Sequence, residues 1–161
     1  MFTSLYPLFF TAVGLYFYRR DGRRMQTFYR LMTTSYSCRM LYSLVLIWIL
    51  LVFNACYTLA FGSDIGFFLS SLLIFGLLVS KRMDRLFFQL QNKTIILTVS
   101  GACLFTCLIP GCWPLGVTMY LVLIASFFFP SKKLLEQLSH PNVFTKLSSS
   151  EGSIVLDYYA R

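Results

Sequence analysis

The sequence predicts an all-α fold: a polytopic membrane helical bundle with four transmembrane helices in two hairpins, and an N-terminal apolar helix that either spans the bilayer or lies at its interface. Three observations predict it. Hydrophobic residues make up 57% of the 161-residue chain and charged residues only 12%, too few to solvate the surface of a globule of this size. Four long apolar runs carry no charged side chain. All fourteen lysines and arginines fall outside those runs. The net charge of +8 would suggest nucleic acid if it lay on a water-exposed face, but here it is interleaved with hydrophobic runs. No nucleic-acid partner is expected; the expected partner is the lipid bilayer.

Residues 1–18 form the N-terminal apolar helix. The stretch "FTSLYPLFFTAVGLYFY" has no basic residue ahead of it and no small-residue cleavage site, so it does not read as a secretory signal. Because no side chain before Arg19 is charged, the distribution of basic residues permits both placements of this helix.

Residues 19–40 form a basic cytoplasmic or interfacial segment. "YRRDGRRMQTFYR" packs five arginines into thirteen residues, and a sixth follows at Arg39. Met25, Phe28, Tyr29, Met32 and Tyr36 recur at helical spacing, with Arg23, Arg24, Arg30 and Arg39 around that stripe. Two readings remain open. In one, this is an interfacial helix whose arginines (Arg19, Arg20, Arg23, Arg24, Arg30 and Arg39) meet anionic headgroups while its aromatics enter the acyl boundary. In the other it is a connecting loop whose charges matter only during insertion.

Residues 41–129 form the four-helix membrane domain. The run 41–61 is uncharged and, at about 1.5 Å per residue, long enough to cross a hydrocarbon core of about 30 Å. The runs 65–80, 94–109 and 113–129 are short alone and become adequate with a turn taken from their flanks. "GSD" joins the first pair and "PGCWP" the second, each a helix-breaking turn. These turns have no lysine or arginine, whereas the segments before, between and after the hairpins hold them all. The positive-inside rule therefore places both turns outside a multi-pass cell-membrane protein, with the basic loops and the tail, residues 130–161, in the cytoplasm.

Chemistry-bearing residues are sparse. His140 in "SHPN" has no metal-ligand neighbour, and the five cysteines lack the partners that a zinc site needs. Cys103 and Cys107 read as small packing residues; a disulfide between Cys56 and Cys112 in the outer half is left open by the sequence. No cluster of acid, base and nucleophile is present, so neither an enzymatic activity nor a cofactor nor a metal is expected. Polarity within the spans comes from neutral groups, which most often hydrogen-bond between or within helices. The sharper reading is that Asn54, Tyr57, Thr58 and Thr118, all in the outer half, line a pocket for a small-molecule ligand. "NKT" at Asn92 is a glycosylation sequon on the cytoplasmic side and is expected to be silent.

The start ending in "GLYFYRRDGRR", the long first span reached through "RMLYSLVLIWILL", and the amphipathic "KRMDRLFFQLQN" after the second span resemble the N-terminal half of arthropod gustatory receptors, over residues 5–129. The resemblance implies a seven-span, ligand-gated cation channel family that works as tetramers with the N-terminus inside. It further implies that this chain is partial or truncated, since the family's signature and pore segment lie in a last span not found here, and that it does not conduct alone. Other membrane subunits or further copies of the chain are the implied partners. The alternative is a small polytopic accessory, immunity or exclusion protein acting through helix-helix contacts.

Overall fold

Every regular element in the computed structural model, which describes residues 2–79, 83–138 and 151–159, is a helix. In chain order these are α1 (Phe2–Phe17), α2 (Arg23–Thr34), α3 (Tyr36–Phe61), α4 (Ile65–Val79), α5 (Met83–Leu90), α6 (Lys93–Leu108), α7 (Trp113–Phe127), α8 (Lys132–Leu138) and α9 (Glu151–Tyr158). The all-α expectation holds for the described residues. One helix among them, α3 with 26 residues, is long and apolar enough to cross a membrane. The helices α4, α6 and α7 have 15, 16 and 15 residues, about 22–24 Å each.

The longest helix begins earlier than the apolar run suggests. Ser35 takes an extended conformation that ends α2, and its hydroxyl accepts the Cys38 N–H at 3.4 Å, capping α3 five residues ahead of the uncharged stretch. At the other end Gly62, with φ +85°, occupies the left-handed region and its N–H bonds Thr58 O at 2.9 Å. Gly111, φ +80°, also takes the left-handed region in the turn between α6 and α7, and Pro114 sits in the first turn of α7, where its missing N–H costs nothing.

Two antiparallel hairpins, α3–α4 and α6–α7, pack through α4 against α7 and through α3 against α7. Their turns lie side by side, because the Gly66 N–H donates to Gly111 O at 2.9 Å. This contact demands glycine at 66: a Cβ there would collide with Gly111 O and come within 2.8 Å of Cys112 Cα. The hairpin partners α6 and α7 approach just as closely at Gly116, where a Cβ would lie 2.5 Å from Cys107 Sγ. Cys103 and Cys107 thus act at a helix contact, Cys103 also donating its thiol to Gly116 O at 3.1 Å.

The N-terminal helix lies lengthwise along the bundle rather than across its end. Tyr6 donates to Ile49 O at 2.9 Å, Thr11 meets the Tyr120 hydroxyl at 2.8 Å, and the Tyr18 ring lies against Phe127 and Phe128. Equal steps along α1 and α7 make the two parallel. Since Tyr6 reaches only Ile49, halfway along α3, α1 lines the half of the bundle away from the hairpin turns.

That half ends in a cap built from α2, α5, α8 and α9. The α2 stripe differs from the expectation in two ways: the helix stops at Thr34, so Tyr36 belongs to α3, and its apolar face is covered by protein. Tyr29 and Met32 are 0% and 1% exposed, and α2 packs against α3, α8 and α9. Phe87 of α5 stacks on Phe129 at 4.8 Å, and Gln91 donates to Phe129 O at 2.8 Å and to Ser126 O at 3.3 Å, tying the segment after α5 to the end of α7.

Large apolar side chains point outward and small polar ones inward. Leu59, Leu108, Leu97 and Leu72 are 70% or more exposed, at 90%, 81%, 77% and 72%, while Ser70 and Thr118 are fully buried. A water-soluble globule has the opposite arrangement.

Candidate functional site

The four residues singled out in the sequence as an outer-half pocket lie toward the hairpin-turn ends of α3 and α7. Asn54 lies between α3 and α4, where its carbonyl oxygen accepts from Ser70 Oγ at 2.9 Å and its amide donates to Ser71 Oγ at 3.4 Å. Tyr57, one turn on, donates to Asp64 Oδ2 at 3.2 Å and thereby braces the first hairpin turn. Thr58 donates to Asn54 O at 2.8 Å within its own helix. Thr118 is on α7, and its hydroxyl bonds the Pro114 and Leu115 carbonyls at 3.0 and 2.7 Å. All four use their polar groups inside the protein, as buried polar groups in an apolar setting must.

Among the cavities bounded by the described residues, three lie elsewhere, toward the basic end. A groove of about 310 Å³ runs between α1, α3 and α7, walled by Val13, Val45, Ile49 and Ile124 and floored by Met25 and Phe28 of α2. A second, of about 270 Å³, lies on the opposite flank of α1 between Thr11, Tyr18, Tyr120 and Phe127. Gly14 separates the two: it is the point where α1 rests on α7, and a Cβ added there would touch Ile124 Cγ2 at 3.4 Å. The third, of about 360 Å³, lies between α3, α4 and α5 beside Ser43 and Asp84. The first groove is almost wholly apolar. Its single hydroxyl-bearing wall residue, Tyr42, already donates to Ala125 O at 2.9 Å.

The arginines divide into two groups. Arg19, Arg20, Arg23, Arg24 and Arg30 are exposed, whereas Arg39 is partly buried inside the cap. Arg39 Nη1 donates to Met32 O at 3.0 Å and Thr33 O at 3.3 Å, closing the C-terminus of α2, and its Nε lies 3.9 Å from Asp84 Oδ2. It holds α2, α3 and α5 together instead of facing outward. Arg19 has φ +52°, rare for a side chain with a Cβ, and its guanidinium sits 5.5 and 5.7 Å from the centres of the Tyr18 and Tyr159 rings; Arg20 covers Tyr16 at 4.2 Å. The turn 18–22 is thus braced by aromatics with its charges left exposed.

Behind it is a tyrosine cluster that no local sequence pattern foretells. Tyr29 and Tyr159 share a hydrogen bond of 2.9 Å, and the Tyr29 and Tyr158 rings lie 4.4 Å apart. Burial raises the Tyr29 phenol above its usual value of 10.0. It raises Tyr159 too, helped by the bond to Tyr29, and lifts Tyr158 well above the usual range. The contact joins residues 130 positions apart, a distance at which no local pattern operates.

Among the described residues no group of three histidine, cysteine, aspartate or glutamate side chains is placed to hold a metal, and all five cysteines, Cys56 and Cys112 included, carry free thiols. His140 lies outside the described residues, as do Lys81, Arg82, Lys146 and Arg161. Asn92 of the sequon is the N-cap of α6 at the basic end, accepting the Thr94 N–H at 3.4 Å. No protein-family model, no curated protein and no solved structure matches the chain.

Proposed function

We propose that this chain is a multi-pass protein of the cell membrane, with α3, α4, α6 and α7 as spans, both hairpin turns outside and the capped basic end in the cytoplasm. One observation carries this reading: exposed leucines and phenylalanines surround a bundle that buries Ser43, Asn54, Ser70, Thr118 and Ser126, while the described lysines and arginines gather at the end opposite the hairpin turns. Such an exterior suits contact with lipid. The three shorter helices lengthen toward the required span by their flanks, or the bilayer thins around them at modest cost.

Within that setting the receptor-like role follows from the resemblance to gustatory receptors, and the bundle supports a particular version of it. Asn54, Ser70 and Ser71 are paired with one another and the groove between α1, α3 and α7 is apolar, which favours binding over conduction. The module binds and positions; conduction would need further membrane subunits or further copies. A second reading, an accessory protein acting by helix contact, is favoured by the outer face of α6, where Leu97, Leu104, Phe105 and Leu108 lie bare.

Reporter fusions at Ser63 and Gly111 should read as outside, and fusions at Asn92 and after Ser131 as cytoplasmic; glycan attachment at Asn92 in a eukaryotic host overturns this topology. Expressed alone in oocytes, the chain should give no tastant-evoked cation current. A robust ligand-dependent current from the purified chain in bilayers would end the non-conducting reading.

A further inference from the structure

The groove between α1, α3 and α7 differs from the remaining apolar exterior in having depth and in ending next to a basic turn of the chain. Its walls run from Phe10 to Phe17 on α1, about 10 Å of helix, against Val45 and Ile49 of α3 and Ile124 of α7. Toward the hairpin-turn end it narrows where Tyr6 bonds Ile49 O and lies 5.0 Å from the Phe53 ring. Toward the basic end it is bounded by Phe17 and Met25, the two residues that flank the turn carrying Arg19, Arg20, Arg23 and Arg24. All four of those arginines are exposed. Asp21, the one acid in this turn, accepts a hydrogen bond from Gln26. An elongated apolar slot, two of whose lining residues flank a turn with four exposed arginines, matches one kind of molecule: an acyl chain joined to an anionic phosphate.

We infer that this groove is a binding site for an anionic phospholipid of the cytoplasmic leaflet, one acyl chain lying between α1, α3 and α7 and the phosphate meeting the Arg19–Arg24 turn. The inference rests on the membrane reading above. It goes further, because the covered face of α2 leaves the arginines, not the aromatic stripe, to meet lipid, and the groove supplies the apolar half of the contact. Arginine binds phosphate oxygens through two parallel N–H groups, which separates an anionic headgroup from a bare hydrophobic molecule. The site also gives α1 a role: it forms the wall that turns a flat bundle surface into a slot.

The full chain, reconstituted in phosphatidylcholine vesicles with a minor fraction of phosphatidylglycerol bearing a photoactivatable group on its acyl chain, tests this directly. Crosslinks should concentrate at Val13, Val45 and Ile124 over the belt positions Leu72 and Phe105, whereas the same label on phosphatidylcholine should spread evenly. The preference should be about tenfold, the order expected when several arginines meet one anionic lipid. Val45→Trp, from a half-exposed wall position, should lower groove labelling by both lipids and leave belt labelling intact; Ile124→Trp fills the slot from the opposite wall. Joint replacement of Arg19, Arg20, Arg23 and Arg24 by glutamine should remove the preference between lipids while crosslinks remain in the groove. Equal labelling of groove and belt by phosphatidylglycerol, or a preference untouched by these variants, overturns the inference and leaves the membrane reading standing. Absence of label from groove and belt alike would overturn the membrane reading itself.

Discussion

Helices α6 and α7 are neighbours of 16 and 15 residues, uncharged apart from Lys93, and written in nearly the same alphabet. Their environments differ sharply. Nine residues of α7 are buried, spread around its circumference, against Cys103 alone on α6. The centre of the bundle is α7, touched by α1, α3, α4, α5 and α6, whereas α6 packs on α7 and α5 and leaves Leu97, Leu104 and Leu108 bare. In a bilayer both helices satisfy the hydrophobic requirement equally well, because lipid tails and protein interior are equally apolar. Position in the bundle is therefore decided by close packing, and small residues are its marks.

The largest effect expected from this contrast is in paired leucine truncations. Leu121→Ala on α7 removes a side chain 3% exposed and should cost about 2–5 kcal/mol, while Leu104→Ala, 70% exposed on α6, should stay within about 0.5 kcal/mol. Reversible unfolding in mixed micelles measures both, and equal costs would erase the distinction between the helices.

A glycine pair reverses sign within the same hairpin. Gly116→Ala forces Cys107 and Thr106 to yield and should destabilise by about 1–3 kcal/mol. Gly101→Ala meets nothing within 4 Å and should stabilise α6 by about 0.4–1 kcal/mol, the gain of alanine over glycine in a helix. Smaller in reach is Asn54→Ala, which strands the buried Ser70 hydroxyl and should cost about 1–3 kcal/mol. If Asn54 served a ligand instead, stability would hold and ligand response would be lost.

The mildest test concerns the cap. Below about pH 10 the cluster phenols are protonated in the folded and unfolded chain alike, so the contact between α2 and α9 has its full strength. Because burial raises the folded values, the unfolded chain ionises first as pH rises above that point, and stability falls with increasing pH. Tyrosinate absorbance should report Tyr29, Tyr158 and Tyr159 as phenols that ionise above the usual value, with amide exchange in α9 rising in step.

Periodicity and charge were sufficient for the all-α class, for the two turns and for the grouping of basic residues, because each is a local property. The boundary of α3 was missed because Ser35 acts as a cap only once its backbone is extended. Arg39 was read with its arginine neighbours, since its bonds to Met32 and Thr33 carbonyls depend on the angle at which α2 meets α3. The expected pocket residues share the hairpin-turn end, and it is helical phase that places Asn54 toward α4 and leaves Thr118 bonded to its own helix.

What the sequence determined by itself is what each residue demands of its surroundings: apolar runs, breaking glycines and prolines, and charges that refuse a hydrocarbon setting. Only the tertiary structure decided that α7 is central, that α1 stands beside it to open a groove, and that Tyr29 meets Tyr159. The reason is physical. Hydrophobic burial is non-directional and specifies no partner, so the choice among partners falls to steric fit at a few close approaches, Gly66 on Gly111 and Gly116 on Cys107, whose geometry exists only after the helices have met.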